Sequence, residues 1–307
     1  MLKNYSKDQI VKILHTEENK DLRVHLSELK ELMEILYRID NSIIDHKKNA
    51  EPWLIERNLF IRKSLFHASS LYLLANGTEL IFTPSEPKAI IIDIPSLDSI
   101  LRAQLETLLA YKFIYVIPLS NDEKQFYYSI WQYSALKQME EIFQGEALKF
   151  SVDKKIEATA TENRNQMNSL LHKITSSPFS NQFQDSKTGF FKKIRNHGTK
   201  KRKQIEDVIS DCKFGDFYLK GPLYTLLSNT SHSEGMTKIY FNDKDSLLAH
   251  PHNVHARMRI FISKLLLSVM IIDEAENSNA GKTVYTQLNS TQRETLDYLN
   301  TIAYENR

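Results

Sequence analysis

The stretch DLRVHLSELKELMEILYRIDNSIID, residues 21–45, decides the fold class. Leu22, Leu26, Leu29, Met33, Leu36, Ile39 and Ile43 recur every three or four residues, which predicts one apolar stripe along a helix from about Asp21 to Asp45. Upstream, Ser6 with Gln9 reads as a capping box opening a short helix through Ile10, Val11 and Leu14. Downstream, Pro52 suits the first turn of another helix. Leu54, Ile55, Leu59, Ile61, Leu65, Phe66, Leu71 and Leu74 continue it until Asn76 and Gly77 supply a left-handed stop.

The same reading extends along the chain. With only 8 Gly and 8 Pro in 307 residues, there are too few breakers for many short strands and tight turns. Pro84, Pro87 and Pro95 surround the β-branched run Ile90 to Ile92, so 78–95 reads as a loop holding at most a short strand. Ser96 opens a helix to about Ile117, where Pro118 ends it. Only Arg102, Gln104 and Glu106 interrupt its apolar middle, which predicts a central element covered on most sides. An aromatic helix follows from Phe126 to about Phe143, then a helix near Val152 to Ile174, an apolar helix Val254 to Ala275 and a tail helix near Ser290 to Tyr304.

The expectation is an all-α, multi-helix bundle whose core joins the Arg102 helix, the His232 helix and the Val254 helix. It divides into a helical extension at 1–50, the bundle at 51–275 and a helical tail at 276–307.

Composition narrows the class further. At 41% hydrophobic and 25% charged, the chain can bury a core and lies outside disordered or fibrous compositions. Cys212 is the only cysteine, which rules out an internal disulfide or a thiolate metal cluster and suits a reducing cytoplasm. Residues 1–14 carry Lys3, Lys7, Asp8 and Lys12 and lack the apolar core of a signal peptide. The run Ile260 to Ile272 contains Lys264 and follows Arg257 and Arg259, so it falls short of the roughly 20 residues a bilayer needs. A net charge of +2 supports no long-range attraction of the whole chain to nucleic acid or anionic membrane.

Four constellations are candidates for chemistry. Arg102 and Glu106, four apart on the apolar helix, leave the same face and can pair, as a structural clamp or as part of a site. Tyr224, Ser228 and His232 share a helix face, where an imidazole can move protons beside a hydroxyl or simply be satisfied by it in the core. His250, His252 and His255 place three imidazoles within six residues. No carboxylate stands at a recognised metal spacing from them, and no metal or cofactor is expected. Lys192, Lys193, Arg195, Lys200, Lys201, Arg202 and Lys203 form a basic run that either contacts phosphates or is a solvated loop. Gly281, Lys282 and Thr283 imitate the end of a phosphate loop, but Glu276 stands where its first glycine belongs.

Taken in order, these elements resemble a bacterial helical family catalogued as domain of unknown function 5677 (DUF5677). Its Leu-x-Arg-x-x-x-Glu helix is approached by SILRAQLETLLAY, residues 99–111, with Arg102 and Glu106 in place and Ile100 where the family has leucine. Its later Tyr-x-x-Leu-Ser-x-x-x-His segment is matched by YTLLSNTSH, residues 224–232, with Tyr224, Ser228 and His232. The resemblance spans about Asn58 to Ile272, with the Pro-rich insert at 78–95 lengthening the usual link.

That family is similar in turn to the HEPN helical bundles, some of which are metal-independent ribonucleases with an Arg-x4-6-His signature. Arg62 and His67 in RKSLFH have that spacing, but chance supplies about one such pair in this chain, and neither is given a catalytic role. The resemblance implies two readings. One is a partner-binding or regulatory module with a polar Arg/Glu/Ser/His cluster between core helices, bound to an unknown protein or RNA and possible as a homodimer. The other is a ribonuclease or nucleotide-directed enzyme of bacterial stress or phage defence, in which Arg102 stabilises phosphate charge and His232 moves a proton. Under either reading Arg102, Glu106, Tyr224, Ser228 and His232 are expected to converge.

Overall fold

The computed structural model describes residues 12, 15–17, 19–45, 52–80, 89–144, 154–180, 212, 214, 223, 227 and 253–304. Among these residues the fold is an all-α bundle with one short two-stranded sheet. In chain order the elements are α1 (Leu22–Asp45), α2 (Pro52–Ile55), α3 (Arg57–Ala75), β1 (Thr78–Leu80), β2 (Ala89–Ile91) and α4 (Ile94–Tyr111). A π-helical turn (Lys112–Val116) and the helices α5 (Asn121–Gln144) and α6 (Lys154–Ser176) come next. The series ends with α7 (Val254–Asn277), α8 (Asn279–Thr286) and α9 (Ser290–Tyr304).

The residues group into two compact units: Met1–Tyr111 with Ile209–Arg307, and Lys112–Val208. The divisions drawn from sequence at 50 and 275 both fall inside the first of these. Helix α1, read as part of an extension, packs on α7 and α3, and α9, read as a tail, packs on α7. Their apolar stripes need α7 as a partner, which the order of elements along the chain does not reveal.

In the first unit α7 is the centre, in contact with α1, α3, α4, α8 and α9. Every residue from Arg259 to Glu274 is buried. Asn253 starts this helix by accepting a hydrogen bond on its side chain from the Ala256 amide at 2.9 Å, satisfying one of the orphan donors of the first turn. The central place expected for the Arg102 helix therefore belongs to α7. Helix α4 buries Leu97, Leu101, Leu105, Leu108 and Leu109 against its neighbours, yet its Arg102 and Glu106 stripe is only half-buried, because two charges four apart are cheaper to leave near water.

The remaining local expectations are refined in physical terms. Gly77 has φ of 82°, the left-handed stop read after α3. The β-branched run pairs antiparallel with 78–80, Glu79 standing opposite Ile90. Helix α4 starts at Ile94 rather than Ser96, since Asp93 accepts the Ser96 amide on its carboxylate at 3.2 Å and so acts as the cap. In the second unit, Phe126, Ile130 and Tyr133 on α5 form a core with Met167, Leu170 and Ile174 on α6, each trio spaced along one helical face.

Helix α8 was not expected, and Gly281 explains its position. A Cβ there would lie 2.3 Å from both the carbonyl carbon and the oxygen of Glu274, so only glycine lets α8 approach the C-terminal end of α7. Ser278 completes the corner by accepting the Gly281 amide at 2.9 Å. Gly281→Ala is expected to destabilise the protein by about 1–3 kcal/mol or more through this backbone clash. A lowered urea midpoint checks it, and a midpoint equal to the parent's would show that α8 can move aside freely.

Candidate functional site

Among the residues singled out by sequence, Arg102 and Glu106 do come together: the Arg102 Nε donates to Glu106 Oε1 at 3.1 Å. The Arg102 side chain is 16% and the Glu106 side chain 42% exposed, so this i,i+4 pair, expected inside the core as a clamp or as part of a site, stands at the core's edge. Tyr224, Ser228 and His232 lie outside the described residues, as do Lys200, Lys201, Arg202, Lys203, His250 and His252. Leu223 and Leu227, beside that second motif, are buried, and His255 is half-buried in the first turn of α7. Arg62 is engaged by Asp40 of α1, its Nε lying 3.2 and 3.0 Å from the two carboxylate oxygens. Burial and the neighbouring Lys63 hold the His67 imidazole below its usual pKa.

Most of the other charged groups sealed inside the first unit lie along α7 or against it, and on α7 Arg259, Lys264 and Glu274 are met by complementary groups. Arg259 donates from Nε and Nη2 to the two oxygens of buried Asp98 on α4, at 2.7 and 3.0 Å, in a fork-to-fork pair. One turn on, the Ser263 hydroxyl donates to Gln104 at 2.8 Å. At the far end Glu274 accepts the Tyr111 hydroxyl at 2.8 Å and the Ser278 hydroxyl at 2.7 Å, with the Arg57 Nε 3.2 Å away. Burial, then the charge of Glu274, push the Tyr111 hydroxyl well above its usual pKa, so it remains a donor.

Midway along α7 stands the densest cluster. Lys264 is wholly buried and places its ammonium against Glu17 at 2.9 Å and against Glu28 of α1. Lys20 closes a ring of alternating charge by contacting the same two carboxylates, Glu28 at 2.7 Å and Glu17. The Tyr298 hydroxyl of α9 donates to Glu17 Oε1 at 2.7 Å. His25, 1% exposed, packs edge-on against Phe261, with Nε2 3.1 Å from the Glu17 carbonyl oxygen and Nδ1 3.8 Å from Glu17 Oε2. A cleft of about 510 Å³, lined in part by Lys12, Thr16, Lys20, Thr295 and Tyr298, reaches this cluster at Glu17.

The electrostatics follow from the contacts. Burial alone would raise the Glu17 carboxyl, but the Lys264 charge and hydrogen bonds from Lys20, Lys264 and Tyr298 overcome it and hold the pKa below the usual value. Burial works against the charged form of Lys20 as well, and its bonds to Glu17 and Glu28 outweigh that and raise its pKa. For His25, burial and then the nearby Lys264 charge lower the pKa to about 4, which leaves a neutral imidazole at pH 7. Two cations, two anions and one neutral ring thus sum to zero. Glu17, His25 and Glu28 also constitute a possible metal-ligand trio, one donor atom of each lying within 4.8 Å of the others.

Sequence reading passed over this cluster. His25 and Glu28 sit three apart on α1 and so share a face, but Lys264 is separated from Glu28 and Glu17 by 236 and 247 residues. The usable signal was Lys264 itself, a lone cation inside an apolar run, which demands buried anions from somewhere else in the chain.

Acid should weaken this cluster. His25 has a folded pKa below its unfolded value, so between pH 6.5 and about 4 the unfolded chain binds a proton that the folded chain does not, and stability falls as pH drops. Glu17, also lowered, adds a loss at still lower pH. From pH 7 to pH 5 the His25 contribution is about 2 kcal/mol. Urea titrations of the parent and of His25→Gln at both pH values check it: the variant should lose less stability on acidification, and an equal loss in both would assign the effect to other groups.

No family model, no curated protein and no solved structure matches the chain.

Proposed function

We propose that this chain is a non-catalytic helical-bundle module that acts by association, and that its partner is a second copy. The observation that carries the reading is a stripe on α3. This helix turns Phe60, Ile61, Ala68, Leu71 and Ala75 inward, yet also holds Leu59, Phe66 and Leu73 outward at 47, 71 and 69% exposure. The three are spaced by seven residues each, the repeat by which one helix packs along another. Large apolar groups aligned in this way on an exposed face mark an interaction surface more than scattered singles do.

The stripe is symmetric about Phe66, which favours an antiparallel pair. In that arrangement Leu59 meets Leu73 of the second copy, Phe66 meets its own counterpart, and exposed Lys63 faces Ser69. A parallel pair would set Lys63 against Lys63, a like-charge contact. Self-complementarity of one patch is what a two-fold interface requires.

The internal pairing of the charges along α7 supports the same reading, since Arg259, Lys264 and Glu274 are engaged as clamps. On this view the resemblance to DUF5677, with Arg102, Glu106, Tyr224, Ser228 and His232, describes a polar patch of a binding module, not a catalytic centre. Glu106, 42% exposed, and the less exposed Arg102 beside it suit that role.

One helix pair lies at the low end of specific interfaces, so a dimer is expected only at roughly 100 µM and above. Sedimentation equilibrium tests it together with Phe66→Glu. The variant should be monomeric while keeping the parent's melting temperature, because Phe66 lies outside the core. A parent chain that stays monomeric at several hundred micromolar contradicts the proposal.

A further inference from the structure

We propose that Glu17, His25 and Glu28 form a divalent-cation site of the zinc or manganese class, in which the Lys264 ammonium stands in for the metal. This goes beyond the association reading and does not depend on it. The three donors already lie within 4.8 Å of one another, and two of them, the carboxylates, hold a cation between them, the Lys264 ammonium. The cage is therefore built to hold positive charge, and the open question is which cation it prefers.

His25 is what distinguishes this cage from an ordinary ion-pair cluster. It is 1% exposed, and among the described residues its Nδ1 has no hydrogen-bond partner, although it lies 3.8 Å from Glu17 Oε2. Its other nitrogen lies 3.1 Å from the Glu17 carbonyl oxygen, which assigns the proton to Nε2 and the lone pair to Nδ1. A histidine held by a carbonyl through one nitrogen, with the other bare and directed at carboxylates, has the arrangement of a metal ligand and its supporting bond. A purely structural ring of two lysines and two glutamates has no use for that lone pair.

Donor chemistry and charge agree. Two carboxylates and one imidazole suit zinc and manganese rather than a soft metal, and no thiolate is needed. Glu17 and Glu28 carry two negative charges, matched now by Lys20 and Lys264. One divalent ion matches them equally once Lys264 gives up its proton to solvent and Lys20, 23% exposed, turns out towards the cleft, so binding releases one proton per ion. Ligands around a tetrahedral zinc at about 2.0–2.1 Å stand roughly 3.4 Å apart, so the donors must close by about 1.4 Å at most. Glu28, with 24% of its side chain exposed, is the ligand that can close that gap once Lys20 and Lys264 release it, and the cleft at Glu17 and Lys20 offers the path of entry.

The test is calorimetric titration of the full chain with Zn²⁺ and, separately, Mn²⁺. The parent is expected to bind one ion per chain, and Lys264→Met, which keeps the buried stem and removes the competing ammonium, to bind at least about ten-fold more tightly. Adding Glu28→Gln or His25→Gln to Lys264→Met should weaken binding about ten-fold or more. No binding by the parent at millimolar metal, or no gain in a folded Lys264→Met, overturns the proposal. So does tight binding that both ligand changes leave intact, which would place the ion elsewhere, for instance at His250, His252 and His255. Should Lys264→Met fail to fold, Glu28→Gln in the parent decides alone, because parent binding that it leaves unweakened overturns the site.

Discussion

Burying α7 from Arg259 to Glu274 takes ionised side chains out of water along the whole length of the bundle's central helix. Each such charge costs several kcal/mol unless a partner of opposite sign is brought to it with good geometry. Much of the first unit can be read as an answer to that demand. Helix α4 supplies Asp98 to Arg259 and Tyr111 to Glu274, α3 supplies Arg57, α1 supplies Glu28 and the segment before it supplies Glu17. Apolar contact alone would let these helices slide against α7. Paired charges at three levels along it hold them at one register, because a slip of one turn would strand an ion at each level.

The same logic explains what was legible in the sequence and what was not. Period and breakers are local, so the α1 stripe, the stop at Gly77 and the extents of α7 and α9 could be read directly. Rank within the bundle is not local. Helix α4 looked central because most of its residues are apolar, but centrality depends on whether all faces are covered, and its Arg102 and Glu106 face is not. Gly281 invited comparison with a phosphate loop, whereas its reason is the 2.3 Å approach that a side chain would make to Glu274. Lys264 was seen as the flaw in an apolar run when it was the better clue. The second motif, Tyr224, Ser228 and His232, lies outside the described residues, and the convergence expected of it with Arg102 stays a matter of the resemblance.

The proposed function follows the division between inside and outside. The inner charges Arg259, Lys264 and Glu274 along α7 are each complemented, which suits a rigid scaffold. Outside, α3 shows an apolar stripe with no partner in its own chain among the described residues, which suits association. The Lys264 ring sits between these two conditions: it is balanced in charge, yet it contains a neutral imidazole with a free lone pair and opens on a cleft. Among the described residues, no helix is long and apolar enough to cross a membrane.

The central claim is that the charges on α7 are clamps whose worth lies in being matched, and the Arg259–Asp98 pair isolates it best. The decisive measurement is a double-mutant cycle of unfolding free energies with Arg259→Met, Asp98→Leu and both together. Each single change leaves one buried charge alone and should cost about 3–5 kcal/mol, while the double change should recover most of that loss. Single costs that simply add in the double variant would contradict the account.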